Sequence, residues 1–100
     1  MKTENLFLLR QLCIEYEVDM SFFTQLNEYG LIEISVVESD HYIHEDKISD
    51  LERMIRMNQE LDINPEGIDA IFHLLSRIEM LQNELMVLKN RLSLYENEEK

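Results

Sequence analysis

Tryptophan is absent from this chain, and proline and cysteine occur once each, as Pro65 and Cys13. Glycine occurs twice, as Gly30 and Gly67. A single cysteine excludes an intrachain disulfide, and a reducing cytoplasm is the simplest setting for it. Cys13 stands between Leu12 and Ile14, the context of an inert buried thiol. Two glycines do not build a phosphate-cradling loop, which removes the nucleotide-binding classes that rely on one. No apolar run reaches the roughly 20 residues a bilayer-spanning helix needs, so no membrane role is expected. The start, "MKTENLFLLRQLCIEYE", lacks a small-residue cleavage site and soon turns acidic, so no signal peptide is expected.

Positive charge is the other shortage. Nine Lys and Arg face 21 Asp and Glu, for a net charge of −12 in 100 residues. That balance disfavours polyanionic partners such as nucleic acid or an anionic membrane face. Its distribution is sharper than its sum. No lysine or arginine lies between Arg10 and Lys47, while Glu15, Glu17, Asp19, Glu28, Glu33, Glu38, Asp40, Glu45 and Asp46 all do. An acidic face of this extent points to a basic protein partner.

What is present is apolar material, 45% of residues, enough for one compact domain with an appended helix. A first helix is expected near Leu9 to Tyr16, entered from an extended "NLFL". A second runs from about Met20 to Glu28, with Asp19 or Ser21 as N-cap and Phe22, Phe23 and Leu26 buried. Gly30 stops it. "LIEISVV" alternates with period two and is β-branched, so it reads as a strand, with "ESD" as a turn and "HYIH" as the returning strand. A third helix starts near Glu45 and Asp46 and turns Ile48, Leu51, Ile55 and Leu61 inward, with Met54 adjacent. The plan is mainly α: a winged helix-turn-helix with a short β-hairpin over residues 1–63.

"DINPEG" then restarts the helix. Asn64 is a good N-cap, and Pro65 at the first helical position loses only an N–H that is orphaned anyway. Gly67 in the first turn is unfavourable by about 1 kcal/mol relative to alanine, which suggests that another backbone approaches it closely. From Pro65 the pattern stays helical to about Tyr95, roughly 45 Å at 1.5 Å per residue. Residues 64–96 thus form a long C-terminal helix, with 97–100 as a tail. Ile71, Leu74, Ile78, Leu81, Leu85, Leu88, Leu92 and Tyr95 make a heptad seam. Ile71 and Leu74 are expected to pack on the domain. Ile78, Leu81, Leu85, Leu88 and Leu92 have nothing left to cover them, so a homodimer is expected. Glu84 with Lys89, and Arg91 with Glu96, suit g-to-e pairing in a parallel arrangement. Met80, Val87 and Leu94 form a second stripe.

Nothing here reads as catalysis. His41 and His44 in "HYIHED" invite a metal reading beside Glu45 and Asp46, but residues three apart on a strand point to opposite faces. His73 is a lone polar residue on the long helix. The carboxylates contain no pair singled out by spacing, so neither enzyme nor cofactor is expected.

Arg56, Met57, Glu60, Leu61, Ile63, Asn64, Gly67 and Ile68 together resemble the signature of the CbpM chaperone-modulator family. "LCIEYEVD" is similar to that family's first helix and turn, except that Glu17 stands where glycine is usual. "YGLIE" is similar to its step into the hairpin, and "RIEMLQNELMVLKNRL" to its C-terminal heptad helix. The resemblance spans about Leu9 to Leu92. It implies a MerR-like winged helix turned protein-binding module. Such proteins bind the J-domain of a DnaJ-like co-chaperone, CbpA, and keep it from stimulating the Hsp70 DnaK; they can also reduce that co-chaperone's DNA binding. MerR-type relatives commonly pair the long helix antiparallel, in contrast to the g-to-e reading.

Analogy with a DNA-binding relative places the docking face on the second helix and wing, with Glu28, Glu33, Glu38 and Asp40 as the contact candidates. The rival expectation is a MerR-type transcription regulator. "SFFTQLNEY" and "VVESDH" carry no lysine or arginine to meet phosphates, so DNA binding is not expected.

Overall fold

The computed structural model describes residues 5–98. Among these, strand β1 (Leu6–Leu8) leads directly into helix α1 (Leu9–Tyr16) and then α2 (Met20–Glu28). Strands β2 (Ser35–Val37) and β3 (Asp40–His44), a 3-10 turn (Glu45–Lys47), α3 (Ile48–Leu61) and α4 (Pro65–Glu98) follow. The chain is a mainly α, MerR-like winged helix-turn-helix followed by a long C-terminal helix. Residues up to Asp69 form one compact unit and those from Ala70 a second.

The expected two-stranded hairpin is a three-stranded antiparallel sheet in the order β1-β3-β2. The extended "NLFL" supplies the extra strand, with Phe7 opposite Ile43. The expected strand over Leu31–Val37 is shorter, because its first half bonds elsewhere. Gly30 adopts φ 76° and closes a Schellman cap: its N–H donates to the Asn27 carbonyl, and the Leu31 N–H to the Leu26 carbonyl. The Ile34 N–H donates to the Asn27 side chain at 3.2 Å. Two donors of that stretch are therefore committed to the C-terminal turn of α2 and do not join a ladder.

The core of the first unit gathers Leu9 and Leu12, Phe22, Phe23 and Leu26, Ile32 and Ile43, Leu51, Met54 and Ile55, and Ile68, all buried. Leu61, expected inside, is 67% exposed. Six residues beyond Ile55 the helical rotation has carried it off the buried stripe. Phe22 and Phe23 meet with ring centroids 6.0 Å apart at 51°. Asp19 occupies the N-cap of α2 without a side-chain bond; its carbonyl accepts from the Phe22 N–H.

Three further helix boundaries use left-handed backbone or a side-chain cap. Glu17, standing where the family resemblance has glycine, ends α1 at φ 55°, ψ 47°. Asp62 ends α3 at φ 55°. Asn64 caps α4, its Oδ1 accepting the Gly67 N–H at 2.8 Å. Gly67 is explained differently from expectation. A Cβ there would lie 2.7 Å from Ile63 Cγ2 and 3.2 Å from Asn64 Oδ1, so two side chains of the cap occupy the space and no other backbone does. Ile63 and buried Ile68 have the N′-to-N4 spacing of a hydrophobic staple. Helix α4 runs past Tyr95 into the expected tail; residues 99 and 100 lie outside the described residues.

Candidate interaction surface

The acidic candidates sit on α2, on the segment that follows it, and on the β2–β3 hairpin. Val37 pairs with Asp40, leaving Glu38 and Ser39 as a two-residue loop. Their φ values are 50° and 71°, the double left-handed pattern of a type I′ turn, here without the asparagine or glycine that usually supplies it. The tight turn sets Asp40 as the first residue of β3, where its carboxylate accepts from the Arg10 guanidinium at 3.2 Å. A groove of about 380 Å³ lies here, lined by Leu9 and Arg10 of α1, Met20 and Thr24 of α2, Ile34, and Ser39, Asp40 and His41 of the hairpin. Met20 and Thr24 share one face of α2, and the Thr24 hydroxyl donates to the Met20 carbonyl at 3.1 Å.

A second groove, of about 270 Å³, lies beside the C-terminus of α2 and is lined by Gln25, Glu28, Tyr29, Asn64, Pro65 and Glu66. The Tyr29 phenol is held above its ordinary pKa, first by desolvation and then by the charge and hydrogen bond of Glu66, with Asp69 and Glu28 adding to it. The four acidic candidates therefore do not share one recess. Glu28 borders the second groove, and Asp40 lines the first. Glu33 and Glu38 are exposed, the former between α2 and β2 and the latter in the turn. Asp40, one of the contact candidates, is already in an ion pair. Sequence reasoning missed that pairing because Arg10 is 30 positions away.

The histidines divide as their spacing requires. His41 and His44 lie three apart on β3, so they occupy opposite sheet faces. His44 Nδ1 accepts the Asp46 N–H at 3.1 Å, capping the 3-10 turn. No group of three or more metal-ligating side chains occurs among the described residues. Cys13 is half-buried, and burial followed by the charge of Asp19 pushes its thiol up, away from the reactive thiolate.

On α4 the seam residues Ile78, Leu81, Leu85, Leu88 and Leu92 are all exposed, between 48% and 60%. Met80, Val87 and Leu94 are exposed as well. Ile71 is half-buried, but Leu74, expected to be covered, is exposed. No helix among the described residues is long and apolar enough to cross a membrane.

Residues 7–90, which span α1, α2, the hairpin and most of the long helix, match the MerR HTH family regulatory proteins. The chain belongs to the MerR helix-turn-helix family. Similar to this MerR-family chain are two curated proteins named chaperone modulatory protein CbpM. One, from Pseudomonas entomophila (strain L48), is 29% identical over 85 residues, covering 84% of each chain. The other, from Pseudomonas putida (strain W619), is 28% identical with the same coverage. No solved structure matches. Neither α2 nor the β2–β3 hairpin carries a lysine or an arginine.

Proposed function

We propose that this chain is a non-enzymatic chaperone modulator that binds the J-domain of a DnaJ-like, CbpA-type co-chaperone and keeps it from stimulating a DnaK-type Hsp70. One observation carries the reading: a MerR-family scaffold whose α2, wing and the segment between them lack every lysine and arginine, yet expose Glu28, Glu33 and Glu38. The names of the similar Pseudomonas proteins support the chaperone-modulating role. A J-domain offers a basic helix to its Hsp70, and an acidic winged helix is the complementary surface. Inhibition is then occlusion, since a covered basic helix is unavailable to Hsp70. Residues 1–63 dock the J-domain, and residues 64–96 join two copies through Ile78, Leu81, Leu85, Leu88 and Leu92. Both partners meet in the cytoplasm.

Duplex DNA is the poorer ligand, because phosphate contacts supply most nonspecific affinity and need cations on the docking elements. The test is J-domain binding followed across a salt series, beside Hsp70 ATPase stimulation. Charges at an interface rim act mainly through the association rate and are screened by salt. Reversing Glu28, Glu33 and Glu38 to lysine should slow association, flatten its salt dependence and restore ATPase stimulation, with the circular dichroism unchanged. Unaltered kinetics and salt slope would move the interface off α2 and the wing. Sequence-specific retardation of duplex DNA at physiological salt would favour a transcription regulator instead.

A further inference from the structure

We propose that Arg10 is a built-in competitor for Asp40, and that the groove between α1, α2 and the hairpin receives a lysine or arginine side chain from a partner's basic helix, which replaces Arg10 on Asp40. The proposal rests on the docking reading above and names a subsite within it. Arg10 is the one lysine or arginine described before Lys47, in a stretch where every other Asp, Glu, Lys or Arg is a carboxylate. It lies at the start of α1, and its side chain is 67% exposed, against 43% for Asp40. The contact joins one guanidinium nitrogen, Nη2, to one carboxylate oxygen, Oδ1, at 3.2 Å. An exposed single-bond pair of this kind is held weakly, so an incoming cation can displace it. Asp40 itself is fixed, because the two-residue turn and its pairing with Val37 set its backbone.

The groove offers more than a charge. Leu9, Met20 and Ile34 line it beside Arg10, Thr24 and Asp40, and its volume of about 380 Å³ admits one long side chain. An aliphatic stem lies well along apolar surface while its charged head reaches a carboxylate. A purely apolar side chain would leave the ion pair in place, and an acidic one would enter against Asp40 and the neighbouring Glu38. The charge pattern selects a basic occupant.

The experiment titrates the full chain with the J-domain of a DnaJ-type co-chaperone and, separately, with a synthetic amphipathic helix carrying arginine on one face. Arg10→Gln and Arg10→Met free Asp40, the second keeping an apolar stem in the groove. Arg56→Gln makes the same change in net charge at an exposed position outside the groove. Both Arg10 variants should tighten binding by about threefold more than Arg56→Gln does, the size of one exposed ion pair. Asp40→Asn should weaken it, with amide NMR spectra confirming that each variant folds. Arg10 variants that bind no tighter than Arg56→Gln, or more weakly, would overturn the subsite while leaving J-domain docking intact. Failure of the wild type to bind the J-domain would overturn the docking reading, and the peptide arm would still decide the role of Arg10. Failure to bind either ligand would overturn both.

Discussion

The Tyr16 hydroxyl donates to Glu52 Oε2 at 2.6 Å, joining the last residue of α1 to the middle of α3 across 36 positions. The same residue is held twice, because Gln59 Nε2 donates to the Tyr16 carbonyl at 2.8 Å. Gln59 thereby satisfies a backbone oxygen that the end of α1 would otherwise leave to water. The two bonds lock the C-terminus of α1 against α3.

Removing the hydroxyl should be felt in stability and in its pH dependence. The Tyr16 phenol is pushed up to about 12, first by the bond to Glu52, then by burial and the charges of Glu52 and Glu15. A folded pKa above the unfolded value favours the protonated phenol. Its contribution is complete below about pH 10 and is lost as pH rises towards 12. Tyr16→Phe should lower stability by about 1.5 kcal/mol at neutral pH, the lower end of the range for one hydrogen bond to a charged group. Denaturant titrations at pH 7 and pH 11 should show the gap between wild type and variant narrowing. A constant gap would refute the linkage.

Gly67→Ala should destabilise the protein although alanine is the better helix former. The added Cβ would meet Ile63 Cγ2 at 2.7 Å. That methyl belongs to a β-branched side chain with little rotamer freedom to retreat. A loss of about 1 kcal/mol, the order of an overpacking penalty, is expected in thermal or urea unfolding. A rise in melting temperature would mean that Ile63 yields.

The hairpin turn should show a conflict between stability and binding. Glu38 and Ser39 both occupy left-handed backbone, which asparagine and glycine adopt with less strain. Glu38→Asn with Ser39→Gly should stabilise the fold by roughly 1 kcal/mol. The same double variant removes a carboxylate from the proposed docking face, so J-domain association should slow. Unfolding and stopped-flow binding on one preparation test both signs.

The apolar seam of α4 should hold two copies together. Leu85→Asp with Leu88→Asp places charges in an interface that has no partners for them, and should give monomers. Light scattering against concentration reads the outcome directly. A wild type that remains monomeric at high concentration would refute the seam.

The sequence alone was enough to place the helices and most of their ends. The Asn64–Pro65 start, the Gly30 stop and the Phe22, Phe23 and Leu26 stripe all depend on partners within a few residues, so their chemistry is written in neighbouring letters. The heptads of α4 and the missing cations of α2 and the wing are equally local patterns. Glu17 was already anomalous as a letter, and its φ of 55° is the conformation for which the family resemblance has glycine. Only the tertiary structure decided the third strand, since Leu6–Leu8 becomes β structure by pairing with residues 42–44. It also decided that Asp40 is met by Arg10 and that Tyr16 is met by Glu52. The Arg10 and Tyr16 pairings span 30 and 36 positions and have no periodicity to betray them. They exist because burying one shared core brings those segments together, and no local propensity encodes which distant polar atoms then fall within hydrogen-bonding reach.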